Sequence, residues 1–210
     1  MDPIDRLTEM FKDFPGIGER QARRFVYFLM SRHGDYTSTL SHLITELKKD
    51  ITQCKECFRF YIMGRNTTDR VCDICTDAML DATELMIVEK DSDLESVRKS
   101  KVYNGKYFIL GGLVPIVERT TKSRVRIEEL KNRISLGKTS GNNTGLKEVI
   151  LAFTLSPQGD HTDQYVREQI REIAAKYSIK ISSLGRGLST GTELEYSDND
   201  TLRNALKNRQ

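Results

Sequence analysis

The chain has 210 residues, 38% of them hydrophobic, and a mean hydropathy of −0.49, which suits a soluble chain with material for one large domain or two to three small ones. No run approaches the roughly 18 consecutive apolar residues of a spanning helix. Met1-Asp2-Pro3-Ile4-Asp5 carries neither the basic nor the apolar stretch of a secretion signal, so a cytoplasmic protein without a membrane partner is expected. Thirty-three Lys and Arg against 30 Asp and Glu leave a formal charge of +3, so a site for a polyanion has to be local.

In chain order, Ile4, Leu7, Met10, Phe11 and Phe14 recur at helical spacing, as do Leu40, Leu43, Ile44, Leu47 and Ile51. Residues 54–75 hold all four cysteines and show no sustained periodicity, so this piece needs a staple. After it the pattern changes class. Leu85–Val88, Tyr107–Leu110, Val149–Phe153 and Ile179–Ile181 read as short strands, with helix-like stretches near 92–99, 126–135 and 162–177 between them. That alternation implies crossovers and a mainly parallel four-stranded sheet covered on both faces. Glu118–Arg126, rich in Arg and Lys, and Gly137–Gly145, rich in Gly, Ser, Asn and Thr, read as loops or insertions.

Phe14-Pro15-Gly16-Ile17-Gly18 breaks the first helix, and a helix starting after it would point unpaired N–H groups out of the turn. On that helix Ala22, Phe25, Val26 and Leu29 repeat at one helical face. Arg20, Arg23, Arg24 and Tyr27 repeat two residues earlier, about 200° away. Gly16, Gly18, Arg20, Arg23 and Arg24 are therefore the candidate contacts to a phosphate backbone, a grip indifferent to base sequence. A tight hairpin with a solvated basic face is the plain alternative.

Cys54-x-x-Cys57 and Cys72-x-x-Cys75 form two knuckles whose thiolates suit one tetrahedral Zn²⁺, with no position left for water, so the metal would be structural. Free thiols, a redox pair or an iron–sulfur centre remain open alternatives. Lys55, Arg59, Arg65 and Arg70 beside the knuckles read as a solvated loop, and His33, His42 and His161 fall outside the cysteine spacing.

At the carboxyl edge of a parallel sheet, Glu89 and Asp93 follow one strand and the Ser156–Asp160 loop another. A Mg²⁺ site for phosphoryl transfer needs closely spaced carboxylates on the later loop, where Gln158 leaves Asp160 alone. An acidic docking surface or a solvated loop is the simpler use. Asn132 stands where a phosphate-binding loop around Gly137-Lys138-Thr139 needs glycine, and Gly185–Gly191 reads as a glycine-rich connection.

Phe14–Arg24, the two knuckles, Val88-Glu89 with Asp93-Leu94, Gly105–Gly112, Glu148–Ala152, Gly159-Asp160 with Thr162 and Tyr165, and Leu194-Glu195-Tyr196 with Thr201-Leu202 follow one another in an order that resembles the bacterial RecR recombination mediators. The resemblance implies an α+β chain of several parts: a helical region with a helix-hairpin-helix (1–52), a four-cysteine zinc finger (53–78), a Toprim α/β domain (79–178) and a C-terminal strand and arm (179–210). It further implies a non-enzymatic clamp on single- and double-stranded DNA, assembled as a homotetramer or dimer, that acts with RecO and in some lineages RecF to load RecA. Hairpin contacts carry over to Arg20 and Arg24, and the acidic surface for RecO to Glu89, Asp93 and Asp160. The enzyme alternative is a Mg²⁺-dependent Toprim nuclease or topoisomerase using Glu89 and Asp160. The chain departs from the family in a longer stretch between the cysteine pairs, in Gln158, and in the two unusual loops.

Overall fold

A computed structural model describes residues 1–64, 69–116, 125–136, 145–185, 187–188, 191, 193–197 and 199–207. Arg65, most of the Glu118–Arg126 loop with Arg119, Lys122 and Arg124, and nearly all of Gly137–Gly145 lie outside the described residues. The chain divides into two compact units, Met1–Thr52 and Gln53–Gln210.

In the first unit α1 (Pro3–Lys12) starts where Asp2 caps it, its carboxylate accepting from the Asp5 N–H at 2.8 Å, and Pro3 opens the first turn. α2 (Glu19–Met30) packs against α1 through Ala22 and Val26 and an edge-on contact between Phe11 and Phe25 at 5.7 Å. α3 (Gly34–Asp50) follows, and its Leu43, Ile44 and Leu47 are all more than half exposed.

The second unit opens with a two-stranded ribbon of β1 (Ile51–Gln53, at the junction) and β2 (Phe60–Ile62), then the short α4 (Asp73–Thr76). Neither the ribbon nor α4 is visible in the sequence periodicity. Next come β3 (Asp81–Val88), α5 (Asp91–Ser100), β4 (Gly105–Ile109), α6 (Ile127–Leu136), β5 (Glu148–Ala152), α7 (Pro157–Lys176), β6 (Lys180–Ser183), a 3-10 turn at Leu194–Tyr196, and α8 (Asn199–Lys207).

Four strands form the expected parallel sheet, in the order β4-β3-β5-β6. Residue parity along β3 sorts the core into two layers, because successive side chains of a strand leave opposite faces. Leu85 and Ile87 join Phe108, Val149 and Leu151 against Leu130 and Ile134 of α6 and Val166 and Ile170 of α7. Met86 and Val88 join Tyr107 and Ile109 against Leu94 of α5 and three of the cysteines. Burial on both faces explains the near-continuous apolar runs of the strands.

One expectation is corrected. Residues 156–160 are not a loop: α7 begins at Pro157, with Ser156 as its cap accepting from the Gly159 N–H at 3.1 Å. Gly159 is required there, since a Cβ would stand 1.9 Å from the Thr154 carbonyl oxygen.

Candidate metal centre and nucleic-acid interface

The four cysteine sulfurs converge within 4.8 Å of one another. Cys54, Cys57 and Cys72 are buried and Cys75 is partly exposed. Sulfur separations of 3.8 Å for Cys54 and Cys75 and 3.5 Å for Cys57 and Cys72 are far too long for disulfides. They match the roughly 3.8 Å that a tetrahedral ion bonded at about 2.3 Å to each sulfur demands.

Backbone bonds build both knuckles. The Phe58 N–H reaches the Cys54 carbonyl at 3.0 Å with Phe58 in the left-handed region (φ 64°), and the Cys75 N–H reaches the Cys72 carbonyl at 3.1 Å. The Cys72 N–H donates to the Cys54 sulfur at 3.4 Å. Left to themselves the thiols compete. Hydrogen bonding to Cys57, then to Cys72 and Cys75, holds Cys54 well below the usual thiol range, whereas bonds to Cys54 and then to Cys57 and Cys72 push Cys75 far above it. Only a cation among them lets all four ionise together.

The charged residues around the quartet are structured, which corrects the solvated-loop reading for Arg59. Its side chain is only 11% exposed and lies 3.4 Å from Asp73, which also pairs with Arg98 at 3.2 Å. Lys55 pairs with Asp69.

In the first unit the hairpin turn is tied by the Ile17 N–H to the Phe14 carbonyl at 3.0 Å, and Gly16 takes φ 75°, the conformation that favours glycine. Gly18 is different. Its φ of −86° suits any residue, and an added Cβ would meet nothing within 4 Å, so the fold itself does not require glycine there. As the N-cap of α2 it offers no side chain to the first N–H groups of the helix, which are left without a side-chain cap.

Arg20, Arg23, Arg24 and Tyr27 are all exposed, opposite the buried Ala22 and Val26. Their charges are unequally engaged. Arg23 lies 3.4 Å from Asp5 and 3.6 Å from Glu19, and Arg24 donates to the Gln21 side chain at 3.3 Å. Among the described residues Arg20 has no ion-pair partner. Two largely uncommitted guanidinium groups therefore flank an open helix start, with Glu19 as a partly neutralised opposing charge.

At the sheet's carboxyl edge, Glu89 and Asp93 are half-buried and Asp160 is exposed in the first turn of α7. Glu89 lies 3.9 Å from Lys90, and its carbonyl accepts from Gly111 at 2.9 Å. Beside this bond Arg126 donates to the Ile109 carbonyl at 3.1 Å and stands over the Phe58 ring at 5.2 Å, so close to Gly111 that a Cβ there would meet its guanidinium at 2.7 Å. Among the described residues, the cysteines form the one group of three or more potential metal ligands; the edge carboxylates form none.

Known proteins resemble this chain over nearly its whole length. The Toprim domain family matches residues 83–184, and the RecR C-terminal family matches residues 187–210. A protein named Recombination protein RecR from Dehalococcoides mccartyi is 33% identical over 208 residues, covering 99% of this chain and 93% of the relative. One of the same name from Bacteroides thetaiotaomicron is 32% identical over 207 residues, covering 98% and 92%. The chain belongs to the RecR family.

Within this RecR fold the structure brings the four knuckle cysteines together and leaves Arg20, Arg23 and Arg24 exposed on α2, each set on its own unit. Sequence reasoning missed Lys106, Arg59 and Arg126, which secure the knuckles and the strand ends. For Lys106 a signal was available: a lysine inside the apolar run Gly105–Leu110 has to find buried partners.

Proposed function

We propose that the chain is a DNA-binding mediator of recombinational repair without catalytic activity of its own. The observation that carries this reading is the full-length likeness to proteins named Recombination protein RecR, matched on this chain by an open, basic helix start behind a glycine turn. Phosphates of single- or double-stranded DNA approach the N–H groups beyond Gly16 and Gly18, and Arg20 and Arg24 neutralise neighbouring phosphates, with Arg23 in a lesser part. Contacts of this kind give affinity without sequence preference.

Zn²⁺ fits the quartet best, because four thiolates at tetrahedral spacing with no open position suit a structural ion. Bound there, one ion per chain stabilises the finger (53–78), which in sequence follows the helical region (1–52) and precedes the Toprim domain (79–178) and the C-terminal strand and arm (179–210). The acidic edge of Glu89, Asp93 and Asp160 serves as a docking surface for RecO. Through it the protein, as a homotetramer or dimer in the cytoplasm and in some lineages with RecF, promotes RecA loading. Chemistry argues against the Mg²⁺-dependent alternative at this edge: Gln158 supplies no carboxylate, and Glu89 and Asp160 gain no third ligand among the described residues.

The test is solution mass with and without DNA, alongside incubation with supercoiled and single-stranded DNA in Mg²⁺ or Mn²⁺. A multimer that gains mass on DNA and leaves the strands intact is expected. Cleavage or relaxation that disappears in Glu89→Gln overturns the reading.

A further inference from the structure

Lys106 lies on β4 among buried apolar residues and is itself only 8% exposed. Burying an ammonium is costly unless its donors are matched, and among the described residues no carboxylate accompanies it. Its three donors go instead to backbone carbonyls: Ile74 at 2.9 Å, Cys75 at 3.2 Å and Asp77 at 2.5 Å. These carbonyls lie in and just after the single turn of α4, where a helix end leaves its acceptors unmatched. One of them belongs to a cysteine of the quartet.

The two knuckles are held to the same strand by different means. The first is moored by a backbone bond, the Ile109 N–H donating to the Cys57 carbonyl at 2.8 Å, and by the Phe58 ring set edge-on against Phe108 at 5.3 Å. The second hangs on the Lys106 side chain. It also carries Cys75, the one cysteine of the quartet that is not fully buried.

We propose that Lys106 is the positioning residue of the metal centre, holding the Cys75 arm closed through the carbonyls of Ile74, Cys75 and Asp77 and thereby setting how firmly the ion is kept. The proposal rests on the zinc reading of the quartet. Lys106 touches no metal; it acts through the backbone that aims Cys75. Its charge also offsets part of the double negative charge of a zinc tetrathiolate.

The experiment uses the full chain loaded with zinc, or with cobalt as a spectroscopic probe. Zinc transfer to a chromogenic chelator is timed for the wild type, Lys106→Met and Lys106→Arg, with circular dichroism to verify the fold. Partners that orient metal ligands typically contribute 10- to 100-fold in affinity, so Lys106→Met should release zinc about 10-fold faster or more, and Lys106→Arg should recover much of the loss. The cobalt form of Lys106→Met should lose part of its thiolate charge-transfer band as the fourth sulfur detaches. In a Cys75→Ser background, Lys106→Met should add little.

Release rates and cobalt spectra that match the wild type in a folded Lys106→Met overturn the proposal. If that variant does not fold, nitrogen NMR of the wild-type lysine side chains decides. Lys106 ammonium protons should be protected from exchange in the zinc form and lose protection on chelation, and unprotected protons in the zinc form overturn it. A wild-type chain that holds no metal removes the zinc reading itself, and the proposal with it; metal bound normally in every Lys106 variant removes only the proposal.

Discussion

Replacing Arg20 and Arg24 together with alanine tests the hairpin grip most directly. Arg20 has no ion-pair partner among the described residues, and Arg24 is engaged by a neutral amide at 3.3 Å, so each has nearly a full charge to offer a phosphate. Each phosphate neutralised contributes about 0.9 to the slope of log affinity against log salt on duplex DNA and about 0.7 on single strands. The double variant should therefore flatten the slope by about 1.8 on duplex and about 1.4 on single strands. Between about 50 and 200 mM salt, wild-type affinity should fall roughly 10-fold further than that of the variant. Arg23→Ala should change the slope by less than one contact, because Asp5 and Glu19 already share its charge. The assay is fluorescence anisotropy of labelled duplex and single-stranded oligonucleotides over a potassium chloride series. An unchanged slope in the double variant, or a larger change from Arg23→Ala than from the pair, refutes the reasoning.

The two hairpin glycines should separate stability from binding. Gly16→Ala forces alanine into a left-handed backbone at about 1–2 kcal/mol and should lower the melting temperature, whereas Gly18→Ala meets no clash, loses only the N-cap preference for glycine over alanine, and should lower it less while still weakening DNA binding. Metal analysis of native protein should return about one zinc per chain, falling sharply in Cys54→Ser, with retention declining as pH falls because protons compete for the thiolates. Glu148 bridges β5 to β6 through the Ser182 hydroxyl at 2.6 Å and Lys180 at 3.0 Å, and these bonds hold its carboxyl below the ordinary range. Its stabilisation is present above the unfolded-state value of about 4.3 and disappears as pH falls through the lower folded-state value, so Glu148→Gln should flatten that part of the acid-denaturation curve followed by circular dichroism.

The sheet was legible because burial on both faces writes strands as apolar runs, and the knuckles because two Cys-x-x-Cys pairs leave few alternatives. What escaped depends on partners distant in sequence. Gly159 looks like a loop breaker until the Thr154 carbonyl is found against it, and the cap on α7 then moves that helix five residues earlier than its apolar period suggests. The ribbon of β1 and β2 is too short to show a period. Arg59 reads as solvated until Asp73 is seen beside it. The hairpin arginines were visible by spacing, but their unequal freedom was not, since Asp5 reaches Arg23 from another helix.

Strand parity in the second unit has a consequence for how the chain proofreads its own folding. Lys106 and Ile109 secure the two knuckles from fixed positions on β4: Lys106, in register with Leu85, shares the parity of Phe108 and acts through its side chain, and Ile109 acts through its backbone N–H. A slip of one residue would reverse which side chains face each layer, dragging the ammonium away from its carbonyls and leaving the quartet ajar. Captured metal would thus certify a correctly threaded sheet, and misthreaded molecules would betray themselves as apoprotein.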